Sequence, residues 1–261
     1  KQTGGGHFSA RLTAPLCIAG GIALQILYAQ GITIAAHVLK IKDVSDTPLE
    51  LVDNSLEASK LLAHQMNQLL QANPQVLPFL DAQAGEKTSA LLTQLRSEKN
   101  TVGGIIECAA MGVPAGIGCP HFHGLENTIS TAVFGVPAVK AIAFGSGMDV
   151  ANLLGSENND AFEVRNGSVV PTTNHAGGIL GGISTGAPIW FRCALKPISS
   201  IGLPQNSINL QTMEPEHLTV QGRHDVTAVL RAVPCVESAF ALALLDSLYS
   251  WPSEQNGYDN D

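Results

Sequence analysis

Apolar residues follow two different spacings near the start of the chain. No Asp, Glu, Lys or Arg occurs between Leu12 and Leu39, a run long enough to suggest a membrane span. Pro15 and the glycines at 20, 21 and 31 interrupt that run. Before Gly31 the apolar positions have helical spacing, and after it they alternate as in a strand. We therefore predict a helix followed by a strand, both buried in the core of a soluble protein.

The same spacing rules predict further elements along the rest of the chain. Thr47-Pro48-Leu49-Glu50 has the form of a capped helix start, and the apolar stripe behind it extends to about Asn73. Further predicted helices cover 86–99, 123–134 and 232–251, and predicted strands cover 102–111, 139–144, 189–196 and 218–220. Helices and strands do not alternate regularly, which favours an α+β fold over a doubly wound sheet. We predict one domain over 1–250 and a polar tail over 251–261.

Composition excludes several classes of partner. The 261 residues carry 14 basic and 22 acidic side chains, a net charge of −8. Because nucleic-acid binding needs clustered Lys and Arg, this balance argues against it. The five cysteines include no CxxC pair, so we expect a reduced, intracellular protein without a disulfide framework or zinc ribbon.

Cys119-Pro120-His121-Phe122-His123 resembles part of a metal site. A thiolate and two imidazoles could supply three ligands, but no spacing places a fourth. Two surface histidines before a helix are the simpler interpretation, and we predict no metal.

The segment from Asn174 to Gly186 is dense in glycine, with two Gly-Gly pairs followed by Ser184 and Thr185. Such bare backbone can wrap a phosphate or a flat ring. A tightly packed crossing of structural elements explains the composition equally well. Both readings stay open at this point.

Three other loops combine bare backbone or hydroxyls with a cation. They are Gly4-Gly-Gly-His-Phe-Ser-Ala-Arg11, Lys196-Pro-Ile-Ser-Ser200 and Gln221-Gly-Arg-His-Asp225. In the last, Arg223 could hold a phosphate through two hydrogen bonds while a neighbouring carboxylate moves a proton. A solvated ionic turn is the ordinary alternative. Together with the glycine-dense segment, these loops predict a pocket for a phosphorylated ligand.

In their order along the chain, these motifs resemble those of chorismate synthases. The matching stretches are Gly4–Arg11, Val102–Cys108 with Gly112–Gly116, Val136–Lys140, Gly155–Asp160, Asn174–Ser184, Leu195–Pro197, and Gly222–Asp225 with Arg231–Pro234. The resemblance implies an α+β domain described as a β-α-β sandwich, a homotetramer and a cytoplasmic location.

The activity implied by the resemblance is that of a lyase of the shikimate pathway, which leads to the aromatic amino acids. The family converts 5-enolpyruvylshikimate 3-phosphate to chorismate and phosphate by an anti 1,4-elimination. It needs reduced FMN although the reaction has no net redox change. Whether the enzyme reduces its own flavin with NADPH or relies on an external reductase stays open.

The resemblance also implies roles for individual residues. Asp225 matches the catalytic carboxylate near the reactive nitrogen of the flavin. The substrate-binding positions are Ser9, Ala10 and Arg11. The positions that match FMN contacts are His7, Phe8, Ser9, Pro137, Ala138, Gly181, Lys196, Pro197, Ile198, Ser199, Ser200 and Arg223.

Two departures from the family pattern bear on activity. His7 and Phe8 stand where the family usually has Arg and Ser, so the cation there is weaker and titratable. The motifs of the family's first third, with both acid/base histidines, have no match here. We expect the chain to be the carboxyl-terminal two-thirds of the enzyme, with weak or no turnover alone. A non-catalytic module that binds FMN or phosphate is the alternative.

Overall fold

Five strands form one antiparallel sheet. The structure is a computed structural model and describes residues 6–73, 76–220, 222 and 225–250. The strands of this sheet are β1 Thr33–Ile41, β2 Val44–Ser45, β3 Gly104–Met111, β4 Val139–Phe144 and β9 Ile189–Leu195. Their order is β2-β1-β3-β9-β4, and each neighbouring pair is antiparallel. The predicted strands at 102–111, 139–144 and 189–196 are confirmed.

Helices cover both faces of this sheet, which confirms the α+β class. Their bounds are α1 Ala14–Ala29, α2 Leu56–Leu70, α3 Ala82–Ser97, α4 Leu125–Phe134, α5 Gly155–Asn158 and α6 Val229–Ser250. Helix α6 packs against α1, α4, β1 and β3 and forms the centre of the main hydrophobic core. Helix α2 lies on the opposite face over a smaller cluster built around Trp190 and Met66. Because side chains of a strand alternate between faces, both sets of positions in the central strands are buried.

Three two-stranded hairpins lie outside the main sheet. They are β5 Phe162–Arg165 with β6 Ser168–Pro171, β7 Ile179–Leu180 with β8 Ile183–Ser184, and β10 Gln205–Asn209 with β11 Glu214–Leu218. The predicted strand at 218–220 is wrong apart from its first residue, and none of the three hairpins was predicted. Strand β11 is exposed along its whole length, so it has no buried face to produce an alternating pattern.

The predicted helix start at Thr47 is also wrong, because tertiary contacts take the backbone donors of this segment. The Leu49 amide donates to the Glu107 carboxylate at 2.7 Å, and the Leu49 side chain is buried. The helix begins instead at Leu56, where the Ser55 hydroxyl accepts a hydrogen bond from the amide three residues on.

The predicted helix and strand at 12–39 are present as α1 and β1. The strand is buried as predicted, but α1 is not, because Ile18 and Tyr28 are each 71% exposed. By length and composition, residues 10–29 could cross a membrane, with a mean hydropathy of 1.7. A core helix of a soluble protein meets the same criterion, and the buried side of α1 packs against α6.

Helices α1 and α6 approach each other most closely at Gly20. A Cβ atom at Gly20 would lie 2.2 Å from the Cβ atom of Ser238, so no side chain fits between the helices there. One turn earlier on both helices, the thiol sulfurs of Cys17 and Cys235 are 3.7 Å apart. The two helices therefore run in the same direction where they touch.

Replacing Gly20 tests this contact. Gly20→Ala forces the helices apart, and we expect the free energy of unfolding to fall by about 1–3 kcal/mol, as in other overpacked cores. Gly21→Ala is the matched control, since a Cβ atom there meets nothing within 4 Å. It should raise stability by about 0.5–1 kcal/mol through helix propensity. Denaturant unfolding of both variants measures the difference, and equal effects would contradict the contact.

A row of charged residues crosses the face of the sheet that α2 covers. His37, Glu107 and Arg192 are opposite one another on β1, β3 and β9. The two ring nitrogens of His37 lie 2.8 Å from Asp46 and 3.1 Å from Glu107. Arg192 donates to the other oxygen of Glu107 at 2.8 Å, and its guanidinium lies over the Trp190 ring. These contacts fix the register of the central strands.

Hydrogen bonds within this row favour the ionised forms in spite of burial. Burial opposes the charge on His37, but its hydrogen bonds to Asp46 and Glu107 outweigh that effect and raise its pKa above 6.5. Burial likewise opposes charge on both carboxyl groups. The hydrogen bonds from His37, with further donors to each, nevertheless lower the pKa of Asp46 and of Glu107.

This row should make stability depend on pH. A raised pKa in the folded state stabilises the fold below pH 6.5, and that contribution is lost as pH rises through the folded pKa. We therefore expect the free energy of unfolding to fall above pH 6.5, by at most about 1.4 kcal/mol per pH unit. His37→Gln should make this slope shallower, although burial of Glu237, which raises its pKa to about 7, leaves a residual slope near neutral pH. The exposed control His64→Gln should keep the full slope. Urea melts across the pH range provide the measurement, and a slope as steep in His37→Gln as in the unmodified protein would contradict the prediction.

Candidate functional site

Three chain segments meet at one end of the central sheet. The Lys196 amide donates to the Ala138 carbonyl at 2.9 Å, which joins the turn after β9 to the residues before β4. The Thr101 hydroxyl donates to the Ile198 carbonyl at 2.6 Å. The structure therefore brings the predicted cofactor positions at 137–138 and 196–200 together, beside the segment that leads into β3.

Two glycines allow this close packing. A Cβ atom at Gly103 would lie 2.3 Å from the Leu195 carbonyl oxygen, and one at Gly104 would lie 2.3 Å from that of Lys40. Larger residues at either position would push the neighbouring backbone away. The absence of side chains at these two glycines therefore permits the close backbone contact.

Asp225 lies on the other side of the same segment. The Val102 amide donates to the Val226 carbonyl at 2.9 Å, and this bond holds the start of α6 against the entry to β3. Both carboxylate oxygens of Asp225 accept hydrogen bonds from Arg231, at 2.8 and 3.1 Å. Such a two-point contact fixes the plane of the carboxylate as well as its position. Arg223 lies outside the described residues.

A cleft of about 630 Å³ opens beside Asp225. Its size is in the range of ligand-binding sites. The lining residues come from the end of α3, the start of α6 and the strand-rich segment between them. They are Arg96, Lys99, Asn100, Gly202, Thr219, Val220, Gly222, Asp225, Val226 and Arg231. Three cations and one carboxylate give the described lining a positive charge, which fits an anionic ligand.

The predicted amino-terminal positions lead into α1. His7 and Phe8 lie in a 3-10 turn, and Ala10 and Arg11 begin a second turn that Ser9 caps by accepting from the Arg11 amide at 3.3 Å. Two residues on, the Thr13 hydroxyl lies 3.3 Å from the Cys235 sulfur. Cys235 is one turn beyond Arg231, so the segment lies close to the start of α6.

Gly181 lies at the far end of β9. It occupies the two-residue turn between β7 and β8 with φ +61° and has open space around it. Strand β9 separates this end from Lys196, a length of about 20 Å at ~3.3 Å per residue. No contact among the described residues joins Gly181 to Lys196 or Asp225, so one ligand reaching all three would have to extend along the strand.

The other three glycines of the two Gly-Gly pairs are packed against backbone. Cβ atoms at Gly177, Gly178 and Gly182 would each lie 2.4 Å from main-chain atoms of neighbouring loops. At these three positions the structure favours the tightly packed crossing over a wrapped ligand. Gly181 is the exception, because it alone among the two Gly-Gly pairs borders open space.

A larger cavity of about 970 Å³ lies elsewhere, between α2, α3, α6 and the edge of β1. Its walls are mostly apolar, and its acidic groups are Glu86 and Glu237. Burial raises the pKa of Glu237 to about 7, although the Ala36 amide partly offsets this by donating to it at 2.7 Å. The lining contains no Lys or Arg, so the smaller cleft suits an anion better.

Sequence reasoning missed three of the charged residues that line the smaller cleft. Arg231 lies in the matching stretch Arg231–Pro234, to which no role is assigned. Arg96 and Lys99 lie at the end of the predicted helix at 86–99. No local pattern connects them, because α3 and α6 are more than a hundred positions apart. Their proximity depends on the tertiary fold.

Comparison with known proteins gives a consistent result. The family model described as chorismate synthase matches residues 1–249. A chorismate synthase of Lancefieldella parvula is 88% identical over 261 residues, which is 100% of this chain and 69% of that protein. The chorismate synthase of Pyrococcus abyssi is 40% identical over 245 residues, or 94% of this chain and 64% of that protein.

A solved structure agrees at the level of the fold. A crystal structure of chorismate synthase has a TM-score of 0.73 and 24% sequence identity, and the match covers 93% of this chain and 64% of that chain. The chain thus spans about two thirds of the length of these relatives. With a matching family model over nearly all its residues, the chain belongs to the chorismate synthase family of lyases.

Proposed function

We propose that the protein to which these residues belong catalyses the anti 1,4-elimination of phosphate from 5-enolpyruvylshikimate 3-phosphate to give chorismate. In this reaction a ring C–H bond and the C–O bond to phosphate break, and a second ring double bond forms. The cationic cleft beside Asp225 is the observation that carries the proposal. Its three cations suit a substrate with a phosphate and two carboxylates.

Reduced FMN is the proposed cofactor, and the described residues fit a flavin phosphate and ring. Exposed backbone and hydroxyls at 196–200 lie beside Ala138, which adopts a left-handed conformation with φ +78°. The proposed contacts are His7, Phe8, Ser9, Pro137, Ala138, Gly181, Lys196, Pro197, Ile198, Ser199, Ser200 and Arg223. When bound, the reduced flavin supplies electron density that helps phosphate leave and a nitrogen that accepts the ring proton.

Asp225 is the proposed catalytic residue of this chain. Its carboxylate is held by Arg231 at the mouth of the cleft, where it can accept a proton from a bound group. Ser9, Ala10 and Arg11 are the proposed substrate contacts. Arg11 is exposed, and its segment lies near the start of α6, so its guanidinium is available to a substrate carboxylate.

The proposal includes a homotetramer in the cytoplasm. The apolar side chains of Ile18, Ile22 and Tyr28 project from the exposed side of α1 and offer a surface that association could bury. Light scattering coupled to size-exclusion chromatography measures the assembly, and a monomer at micromolar concentration would contradict a tetramer.

Replacing Asp225 tests the catalytic assignment. In an anaerobic assay with reduced FMN, Asp225→Asn should lower kcat by about 100- to 10,000-fold, the range for a lost acid/base group. FMN affinity should stay within a few-fold, because the substitution keeps the size of the side chain. Asp246→Asn, an exposed site on the same helix, is the matched control and should leave kcat unchanged.

Two other outcomes count against the proposal in different ways. Unchanged kcat in Asp225→Asn would remove this carboxylate from the mechanism. Saturable FMN binding without turnover, in the protein with both histidine motifs present, would favour a non-catalytic binding module.

A further inference from the structure

We propose that Arg96 and Lys99, at the end of α3, bind a phosphate group of the ligand in the cleft. The ligand class is a phosphomonoester dianion, carried by either the flavin or the substrate. The inference builds on the proposed function and adds to it a phosphate-binding element outside the family motifs quoted above. It rests on the position, charge and orientation of these two side chains.

Position is the first support. Arg96 and Lys99 line the same cleft as Asp225 and Arg231, and they come from the end of α3 rather than the start of α6. Asp225 engages Arg231 through both oxygens, which neutralises much of the charge on that guanidinium. Among the described residues, the positive charge of the cleft is therefore concentrated at the end of α3.

Charge is the second support. In the described part of the chain no carboxylate lies within ion-pair distance of Arg96 or Lys99. Cations at the carboxyl end of a helix also interact favourably with its dipole, and this accounts for Arg96 without a ligand. Lys99 lies beyond the helix, at the position where a Schellman motif places a left-handed residue: its amide donates to the Arg96 carbonyl at 3.2 Å, and the Asn100 amide donates to the Leu95 carbonyl at 3.0 Å.

The backbone and side chain of Lys99 are both held in place. Its φ of +55° is the left-handed conformation that this helix end requires. Its carbonyl accepts from the Gly202 amide at 3.1 Å. A Cβ atom at Gly202 would lie 3.0 and 3.3 Å from the Lys99 Cβ and Cδ atoms, so the Lys99 stem runs along the bare side of Gly202. The ammonium group is thus directed by packing rather than by an acidic partner.

Two neighbours add hydrogen-bonding capacity that suits phosphate oxygens. The Asn100 side-chain oxygen accepts a hydrogen bond from the Thr101 amide at 2.9 Å. The NH2 group of the same side chain can therefore donate to a phosphate oxygen. Thr219 contributes a hydroxyl to the lining. A dianion with three oxygens can use two cations and these donors together.

The test compares each phosphorylated ligand with its counterpart that lacks phosphate. FMN is paired with riboflavin, and 5-enolpyruvylshikimate 3-phosphate with 5-enolpyruvylshikimate, titrated by calorimetry into the full protein. Lys99→Ala and Arg96→Ala should each raise the Kd of one phosphorylated ligand by about tenfold, as expected for a lost charge-assisted contact. The counterpart should change by less than twofold. The pair that responds identifies which phosphate is bound.

Three further variants sharpen the result. Lys87→Ala removes an exposed cation from the same helix outside the cleft and should change no Kd. Lys99→Arg should retain most of the affinity. Gly202→Ala should displace the Lys99 stem and weaken the same phosphorylated ligand, although Lys99 itself is intact.

The proposal is overturned if Lys99→Ala and Arg96→Ala bind every phosphorylated ligand as tightly as the unmodified protein. It is equally overturned if both members of a pair lose affinity to the same extent. Failure of the proposed function is a separate result, since turnover could be absent while phosphate-selective binding at Lys99 remains.

Discussion

Backbone contact around Gly103 and Gly104 is the constraint on which the candidate site depends. These glycines let the chain before β3 pass within van der Waals distance of β1 on one side and of the turn after β9 on the other. Hydrogen bonds from the Thr101 hydroxyl to the Ile198 carbonyl and from the Val102 amide to the Val226 carbonyl hold that segment in place. The turn at 196–200 and Asp225 are consequently positioned by the same short stretch of chain, and a shift there would move both.

The central strands of the sheet behind the site are covered on both faces, which leaves little room for such a shift. Its first face is covered by α1, α4 and α6, and its second by α2 and the row formed by His37, Glu107 and Arg192. A register slip of one residue would move the charged side chains of this row into the apolar core, where they would lose their hydrogen-bond and ion-pair partners. The buried charges therefore help to specify one strand pairing. That pairing determines where β9 ends and where Lys196 lies.

Sequence patterns predicted those elements whose apolar positions are buried in the core. Strands β3, β4 and β9 and helices α3, α4 and α6 were predicted close to their observed bounds for this reason. The prediction failed at Thr47, because the Leu49 amide donates to the Glu107 carboxylate instead of entering a helix, and at β11, whose residues are all exposed. The motif residues of the site could be named from the resemblance. The contribution of Arg96 and Lys99 could not, because it arises only when α3 and α6 meet.

The parallel contact of α1 and α6 links the amino-terminal segment to the rest of the site. Thr13 touches Cys235 and Gly20 touches Ser238, so the starts of both helices point to the same end of the molecule. Helix starts carry partial positive charge. Helix α1 begins shortly after Arg11, and α6 begins shortly after Asp225 and contains Arg231. Substrate anions near this end would experience both dipoles together with the cations of the cleft. Because Gly20 leaves no space between the helices, their relative position, and with it the spacing of Arg11 from Asp225, is set by core packing rather than by the loops themselves.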